Sequence, residues 1–248
     1  MLSQKLKFSQ EKYAAKPGAM NKTQTDINEK MRAILIDWLV DVHLKFKLIP
    51  ETFYLTVNII DRFLGAFAIN RQKLQLVGVA AMLIASKYEE IYPPEVKDFE
   101  YVTDRAYTRE DILDMEGKII GALNFNLTTP SSYRFLERYA KVAGFDEKAF
   151  QLARYLLELA TVEYKMIKYL PSNIACSAVY LVNKIHKKEG WSDLMIKHGK
   201  YSETQIRPCA KDLCILLQNA SKSNLQAVKR KFSSTKYLEV AKIQLDKI

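Results

Sequence analysis

The first strongly apolar helical segment of this chain carries more hydrophobic surface than one interior face requires. At about 100° per residue, Ile34 and Trp38 lie near the centre of its apolar face. Further apolar side chains widen that face to well over half of the circumference: Met31, Leu35, Ile36, Leu39, Val40 and Val42. A surface helix normally shows an apolar stripe only slightly wider than about 100°. The pattern therefore predicts either a fully enclosed helix or a helix whose second apolar face receives a partner.

Helical spacing continues beyond this segment and predicts a group of five helices. The first is expected to open with a capping box formed by Asp26 and Glu29 and to run to about Lys45. The next four are expected near residues 51–67, 71–88, 95–101 and 108–123. The third is almost entirely small or apolar, LQLVGVAAMLIAS. A helix that is apolar all round is typical of the centre of a bundle.

A second group of five helices follows the boundary sequence NFNLTTP, residues 124–130. These helices are expected near residues 132–143, 147–164, 172–187, 191–196 and 203–221, and the third is again rich in small residues. We predict an all-α fold made of two tandem five-helix domains with short terminal extensions. The predicted parts are an N-terminal extension (1–25), two domains (26–128 and 129–221) and a tail packed on the second bundle (222–248).

Charge and cysteine content narrow the possible classes of function. Residues 1–25 carry a net charge of +4, residues 26–128 a net charge of −4, and residues 129–248 a net charge of +10. A nucleic-acid binder usually concentrates positive charge on its recognition element, whereas here the most distinctive segment is acidic. The three cysteines lack CxxC spacing and are expected to be reduced and to pack as small apolar residues. No apolar run reaches the length of about 18 residues that a membrane span needs, and we expect no signal peptide.

One charged residue within the apolar arc requires a partner. Arg32 falls in the inward sector of the first helix, and a buried guanidinium is costly unless a carboxylate binds it. Asp61, late in the apolar second helix, is the expected partner in a structural ion pair.

Catalytic chemistry is not expected. The sequence contains no GxGxxG, Walker, GxSxG or HExxH motif. His43, His186 and His198 are scattered without ligand spacing and are expected at the surface or at helix ends. We therefore expect no enzyme activity, no cofactor and no metal.

Several motifs together resemble the cyclin box of the mitotic cyclins of A and B type. They are MRAILIDWLV, IDRFL, KLQLVG, ASKYEEIYPPEV and ALNF, and the correspondence runs without a gap from Met31 to Leu127. It continues more loosely through KYLPSNIACSA, YSETQIRPCAKDL and VKRKFSSTKY, which are similar to the second cyclin fold and its tail. The motifs do not decide between A and B type. The resemblance implies two tandem cyclin folds.

The resemblance also implies a function: a regulatory subunit that activates a cyclin-dependent Ser/Thr kinase allosterically and controls G2/M or S phase progression. Lys87 and Glu116 match the charged pair with which cyclins hold the kinase near its αC helix, and Arg32 and Asp61 match the buried structural pair. Four apolar positions match residues that pack on that helix: Tyr88, Ile120, Phe125 and Leu127. The expected location is nuclear and cytoplasmic. The sequence names neither the kinase nor the degradation signal.

A second site is implied for substrates and inhibitors that carry RxL motifs. The matching positions form a predicted docking patch: Met31, Ile34, Leu35, Trp38, Asp41, Arg71, Leu74 and Gln75. Asp41 stands where the family has an acidic or polar residue facing the basic residue of the motif. The alternative for these residues is ordinary core between helices.

Two departures from the family pattern bear on function. FSQEKYAAKPG is a poor version of the helix that usually precedes the box and touches the kinase, so the sequence gives only weak support for kinase contacts from Phe8 to Tyr13. Arg32 to Leu35 fits a destruction motif by letters but lies inside a packed helix. The competing interpretation is a cyclin-fold scaffold that binds DNA or transcription factors. Its support is the basic second half. The cluster Lys229–Lys231 could contact phosphate or act as a weak nuclear-import signal, but the favoured explanation is a solvated basic tail.

Overall fold

The computed structural model describes residues 9–243, and these residues form helices, 3-10 turns and loops without a β-strand. They divide into two compact units. Residues 11–129 make the first unit, and residues 130–243 together with residues 9–10 make the second. The all-α prediction is confirmed.

The first unit is built around one central helix. Its helices are α1 (Ala19–Thr23), α2 (Glu29–Lys45), α3 (Pro50–Leu64), α4 (Leu74–Glu89), α5 (Val96–Val102) and α6 (Arg109–Ala122). Every residue from 76 to 86 of α4 is buried, as its apolar composition predicts. Helices α2, α3, α5 and α6 all contact it. A 3-10 turn, Arg71–Lys73, replaces the predicted first turn of α4.

The predicted capping box at the start of α2 is wrong. Asn28 is the N-cap residue, and its Oδ1 accepts a hydrogen bond from the Met31 amide at 3.0 Å. Asp26 lies too early to cap and instead accepts from the backbone amide and the Nε of Arg71, both at 2.7 Å. This hydrogen bond from the Arg71 side chain lowers the pKa of Asp26. Glu29 accepts from Asn21 Nδ2 rather than reaching back to the cap.

The second unit repeats the arrangement around a central helix. Its helices are α7 (Ser132–Val142), α8 (Glu147–Val162), α9 (Pro171–Ile185), α10 (Asp193–Gly199), α11 (Glu203–Asn219) and α12 (Ala227–Phe232). Helices α7, α8, α10 and α11 contact α9, whose residues 175–179 are all buried. The small side chains of this helix let the surrounding helices approach closely.

Both chain ends of the described structure pack on the second unit. Gln10 is buried, donating from Nε2 to Ser172 Oγ at 2.9 Å and accepting from the Ser172 amide at 3.0 Å. At the other end, the Phe232 ring lies 5.4 Å from that of Tyr155 and 4.8 Å from that of Tyr237, centroid to centroid. The tail, as far as residue 243, therefore packs on the bundle. Phe8 and residues 244–248 lie outside the described residues.

Within the described residues no helix is long and apolar enough to cross a membrane. The three cysteines form no disulfide: Cys176 and Cys209 are buried and Cys214 is half-buried. Burial raises the pKa of Cys209 to about 12, so its thiol is a poor nucleophile. The burial of Cys176 and Cys209 agrees with their expected role as small core residues, whereas Cys214 is only partly buried.

Candidate functional site

Arg32 and Asp61 form a buried two-point ion pair that joins α2 to α3. Arg32 Nε donates to Asp61 Oδ1 and Nη2 donates to Oδ2, each at 2.8 Å. The side chains are only 1% and 5% exposed. Two parallel hydrogen bonds fix the orientation of both groups. The structure thus joins the two residues that the sequence paired.

Lys87 and Glu116 meet at the surface of the first unit. Lys87 ends α4, and its Nζ lies 2.8 Å from both carboxylate oxygens of Glu116 on α6. The lysine side chain is 46% exposed and the glutamate 13%. An exposed ion pair contributes about 0–1 kcal/mol to stability. A contribution to stability is therefore a weak explanation for the presence of this pair. Its exposed lysine is available to a partner.

Apolar side chains close in sequence to this pair are also exposed. Phe125, in the loop after α6, is 78% exposed, and Tyr88, next to Lys87, is 47% exposed. The Tyr88 and Thr128 hydroxyls lie 2.5 Å apart and tie this loop to the end of α4. Ile120 and Leu127 are half-buried. All six predicted kinase-binding residues are at least partly accessible.

Two further exposed apolar residues follow α4 directly and were missed from the sequence. Ile91 and Tyr92 are 87% and 89% exposed. The sequence signal for them is their place before Pro93 and Pro94, where a helix cannot continue. Their exposure extends the apolar surface beyond Tyr88.

Glu90 anchors the end of α4 to the start of α3. Its Oε1 accepts from the Ile49 amide at 2.9 Å and from Thr52 Oγ1 at 2.5 Å. Ile49 is the N-cap residue of α3 and has no side-chain oxygen of its own to cap the helix. No local sequence pattern indicates these contacts, because Thr52 and Ile49 lie 38 and 41 residues before Glu90 in the chain. They fix the position of the segment that carries Lys87.

The predicted docking patch divides into an outer and an inner set. Ile34 is 56% exposed, Asp41 and Arg71 are exposed, and Met31, Trp38 and Gln75 are half-buried. Leu35 and Leu74 are instead buried, at 5% and 6% exposure, beneath this face. Leu35 packs on α4 at Gly78, where an added Cβ would lie 2.7 Å from Leu35 Cδ1.

His43 lies in the last turn of α2, at a helix end as expected, but it is not at the surface. His43 is buried at 3% exposure, with Nε2 3.0 Å from the Ile49 carbonyl oxygen and its ring 5.5 Å from that of Phe53. His186 and His198 are half-buried. Within the described residues, no group of three His, Cys, Asp or Glu side chains is placed to hold a metal ion.

The second unit contains a buried ion pair that sequence reasoning missed. Lys231 Nζ lies 2.7 and 2.8 Å from the carboxylate oxygens of Glu158, and both side chains are 1% exposed. The basic neighbours Lys229 and Arg230 suggested that Lys231 belongs to a solvated cluster. Its burial shows that it does not. Burial lowers the pKa of Lys231, while the charge of Glu158 acts in the opposite direction.

Comparison with known proteins connects these features to one family. The models of the cyclin N-terminal domain and the cyclin C-terminal domain match residues 2–128 and 130–246. Cyclin-B1-3 of Arabidopsis thaliana is 49% identical over 88% of this chain and 53% of its own length. The G2/mitotic-specific cyclin-B of Dictyostelium discoideum is 44% identical over 90% of this chain and 51% of its own length. The chain thus spans about half the length of these curated relatives, and the predicted resemblance is confirmed.

A solved structure supports the fold at lower sequence identity. A viral cyclin from herpesvirus saimiri superimposes with a TM-score of 0.76 at 19% identity, covering 87% of this chain and 98% of the viral one. At that identity the match concerns the arrangement of helices alone.

Proposed function

The chain belongs to the cyclin family, and from this premise we propose that it is the regulatory subunit of a cyclin-dependent Ser/Thr protein kinase. The observation that carries the proposal is the Lys87–Glu116 pair, which is accessible and lies beside exposed Tyr88. A charged pair with apolar neighbours offers a kinase helix both hydrogen-bonding groups and apolar contact area. The proposed partner surface of the kinase is its αC helix.

The proposed mechanism is allosteric. A kinase is active only when the αC glutamate pairs with the β3 lysine and the activation segment is open. A protein that binds the inward position of αC more tightly than the outward position shifts the kinase towards the active conformer. In this mechanism the chain needs no catalytic group of its own.

Removing both members of the Lys87–Glu116 pair tests this proposal. Lys87→Ala with Glu116→Ala is expected to lower affinity for the kinase at least tenfold, which corresponds to about 1.4 kcal/mol, because the charged contacts to the kinase are lost. The measurement is histone phosphorylation as a function of the concentration of this chain. The matched control is Lys242→Ala with Glu239→Ala, since that exposed pair is 2.7 Å apart and lies in the tail. Equal activation by the two double variants, both folded, would contradict the assignment.

We also propose that the outer face of α2 recruits substrates with RxL motifs. Ile34 and Trp38 offer apolar surface on this face, and Asp41 is exposed one turn further along. The net charge of −4 on residues 26–128 favours the basic residue of such a motif. Binding here would leave the kinase contacts at Lys87 unchanged.

Truncating Trp38 separates docking from activation. Trp38→Ala is expected to raise KM for a substrate that carries an RxL motif by roughly tenfold, since burial of an aromatic side chain is a common source of binding energy. Phosphorylation of a minimal peptide without RxL should stay unchanged. Tyr101→Ala is the control, because Tyr101 is an aromatic residue of the same unit and is 65% exposed. An equal loss for both substrates would overturn the docking proposal.

The alternative scaffold function makes a different prediction for the same protein. The net charge of +10 on residues 129–248 supports it, whereas the burial of Lys231 removes one charge from the proposed contact cluster. Sequence-independent DNA binding that falls steeply with salt, without kinase activation, would favour the scaffold. Nuclear and cytoplasmic location is part of the kinase proposal and is tested by imaging the tagged chain.

A further inference from the structure

Arg62 holds the loop that carries Phe125. It lies near the end of α3, and its Nη1 donates to the Asn126 carbonyl oxygen at 2.8 Å and to Asn58 Oδ1 at 3.3 Å. Its guanidinium also lies 5.6 Å from the centroid of the Tyr13 ring. A single arginine thus links α3, the loop after α6 and the segment before α1.

Tyr13 supports the same loop through hydrogen bonds of its own. Its hydroxyl donates to Asn126 Oδ1 at 3.3 Å, and its carbonyl oxygen accepts from Asn58 Nδ2 at 3.2 Å. Asn126 is therefore held through its backbone by Arg62 and through its side chain by Tyr13. These bonds place both side chains in contact with the residue that follows Phe125.

The loop needs such support because its backbone is strained. Asn124 and Phe125 have φ angles of 49° and 57°, in the left-handed region. Non-glycine residues stay there only where the surrounding structure holds them. Phe125 is 78% exposed, so burial of its own side chain cannot supply that restraint. The bonds to Asn126 and the Tyr88–Thr128 contact can.

We propose that Arg62, assisted by Tyr13, is a positioning residue for kinase binding: it presents Phe125 to the partner without touching the partner itself. The inference rests on the proposed function. It also gives a role to the segment before α1, for which the sequence predicted no reliable kinase contacts. In this view Tyr13 acts on the kinase surface through Arg62 and Asn126.

The first test measures the loop in the free chain. Arg62→Ala should speed hydrogen exchange of the Asn126 and Leu127 amides, which bond to the Leu123 and Phe125 carbonyls at 3.0 Å. Arg62→Lys, which keeps a cationic donor, should restore part of the protection. Arg109→Ala is the control, since this exposed arginine begins α6, at the end away from the loop. Unchanged exchange in Arg62→Ala would overturn the positioning role.

The second test measures kinase affinity in a double-mutant cycle. Arg62→Ala and Phe125→Ala should each weaken binding about tenfold, and the double variant should bind about as weakly as Phe125→Ala alone. Additive losses would show that Arg62 acts independently of Phe125 and would overturn the inference. If the unmodified chain binds no kinase, the proposed function is wrong. The hydrogen-exchange data would still show whether Arg62 holds the loop.

Discussion

Replacing Asp61 by alanine is expected to lower the free energy of unfolding of the first unit by roughly 3–5 kcal/mol. The change removes the carboxylate that accepts two hydrogen bonds from the guanidinium of Arg32, whose side chain is 1% exposed. A domain is typically stable by about 5–15 kcal/mol, so the variant should retain little reserve. The measurement is urea unfolding followed by circular dichroism.

Two further variants separate the buried charge from simple loss of a contact. Arg32→Met with Asp61→Leu should recover much of the stability, because apolar residues of similar volume often replace a buried ion pair without loss. Asp26→Ala removes the carboxylate that pairs with the exposed Arg71 side chain in the same unit. This change should lower the free energy of unfolding far less. Similar small losses for Asp61→Ala and Asp26→Ala would show that the buried pair is not a major support of the α2–α3 contact.

The buried pair and the central helix could be predicted because both follow from local composition. A charged residue inside an apolar arc needs an opposite charge, and Asp61 stood out on a similarly apolar helix. A helix that is apolar all round belongs at the centre of a bundle, which is where α4 lies. The periodicity of apolar residues also located the main helices to within a few residues at each end.

Details that depend on neighbouring elements could not be predicted in this way. Helical angles placed Ile34 and Leu35 on the same broad apolar face, yet Ile34 is exposed and Leu35 is buried. The difference arises from α4. The Leu35 side chain packs against Gly78 of that helix, where even a Cβ atom would be too close to it. Similarly, Asp26 fitted a capping motif by letters, but Arg71 is 45 residues away in the chain and competes for it.

Prediction of the candidate sites depended on the family resemblance rather than on a physical pattern in the sequence. Lys87 alone reads as a cation that favours the C-terminal end of a helix, and Glu116 reads as a solvated residue. Only the fold brings them to 2.8 Å. Arg62 and Tyr13 were missed for the same reason, since their common partner Asn126 is 64 and 113 residues away.

The pair in the second unit should be equally important for stability, because it anchors the tail to α8. Glu158→Ala is expected to cost roughly 3–5 kcal/mol, since it leaves the buried Lys231 ammonium without its carboxylate. Arg230→Ala is the control from the same basic run, because its side chain is exposed. Chemical unfolding of both variants at pH 7 gives the comparison, and equal stability would contradict an anchoring role for the pair.

The dependence of this loss on pH provides an independent check with a definite sign. Burial lowers the pKa of Lys231 below the 10.5 of an ordinary lysine, and Glu158 opposes that shift. Without Glu158 the native-state pKa should fall further, so the native state binds fewer protons than the unfolded state over a wider range below pH 10.5. Stability rises with pH wherever the unfolded state binds more protons. The deficit of Glu158→Ala relative to the unmodified protein should therefore shrink between pH 7 and pH 10. Taking the difference between the two proteins removes the contribution of groups whose pKa does not depend on Glu158, such as Tyr155, whose pKa burial raises to about 12. A deficit that stays constant across this range would mean that the loss comes from packing, and that the charge of Lys231 is satisfied by other groups in the second unit.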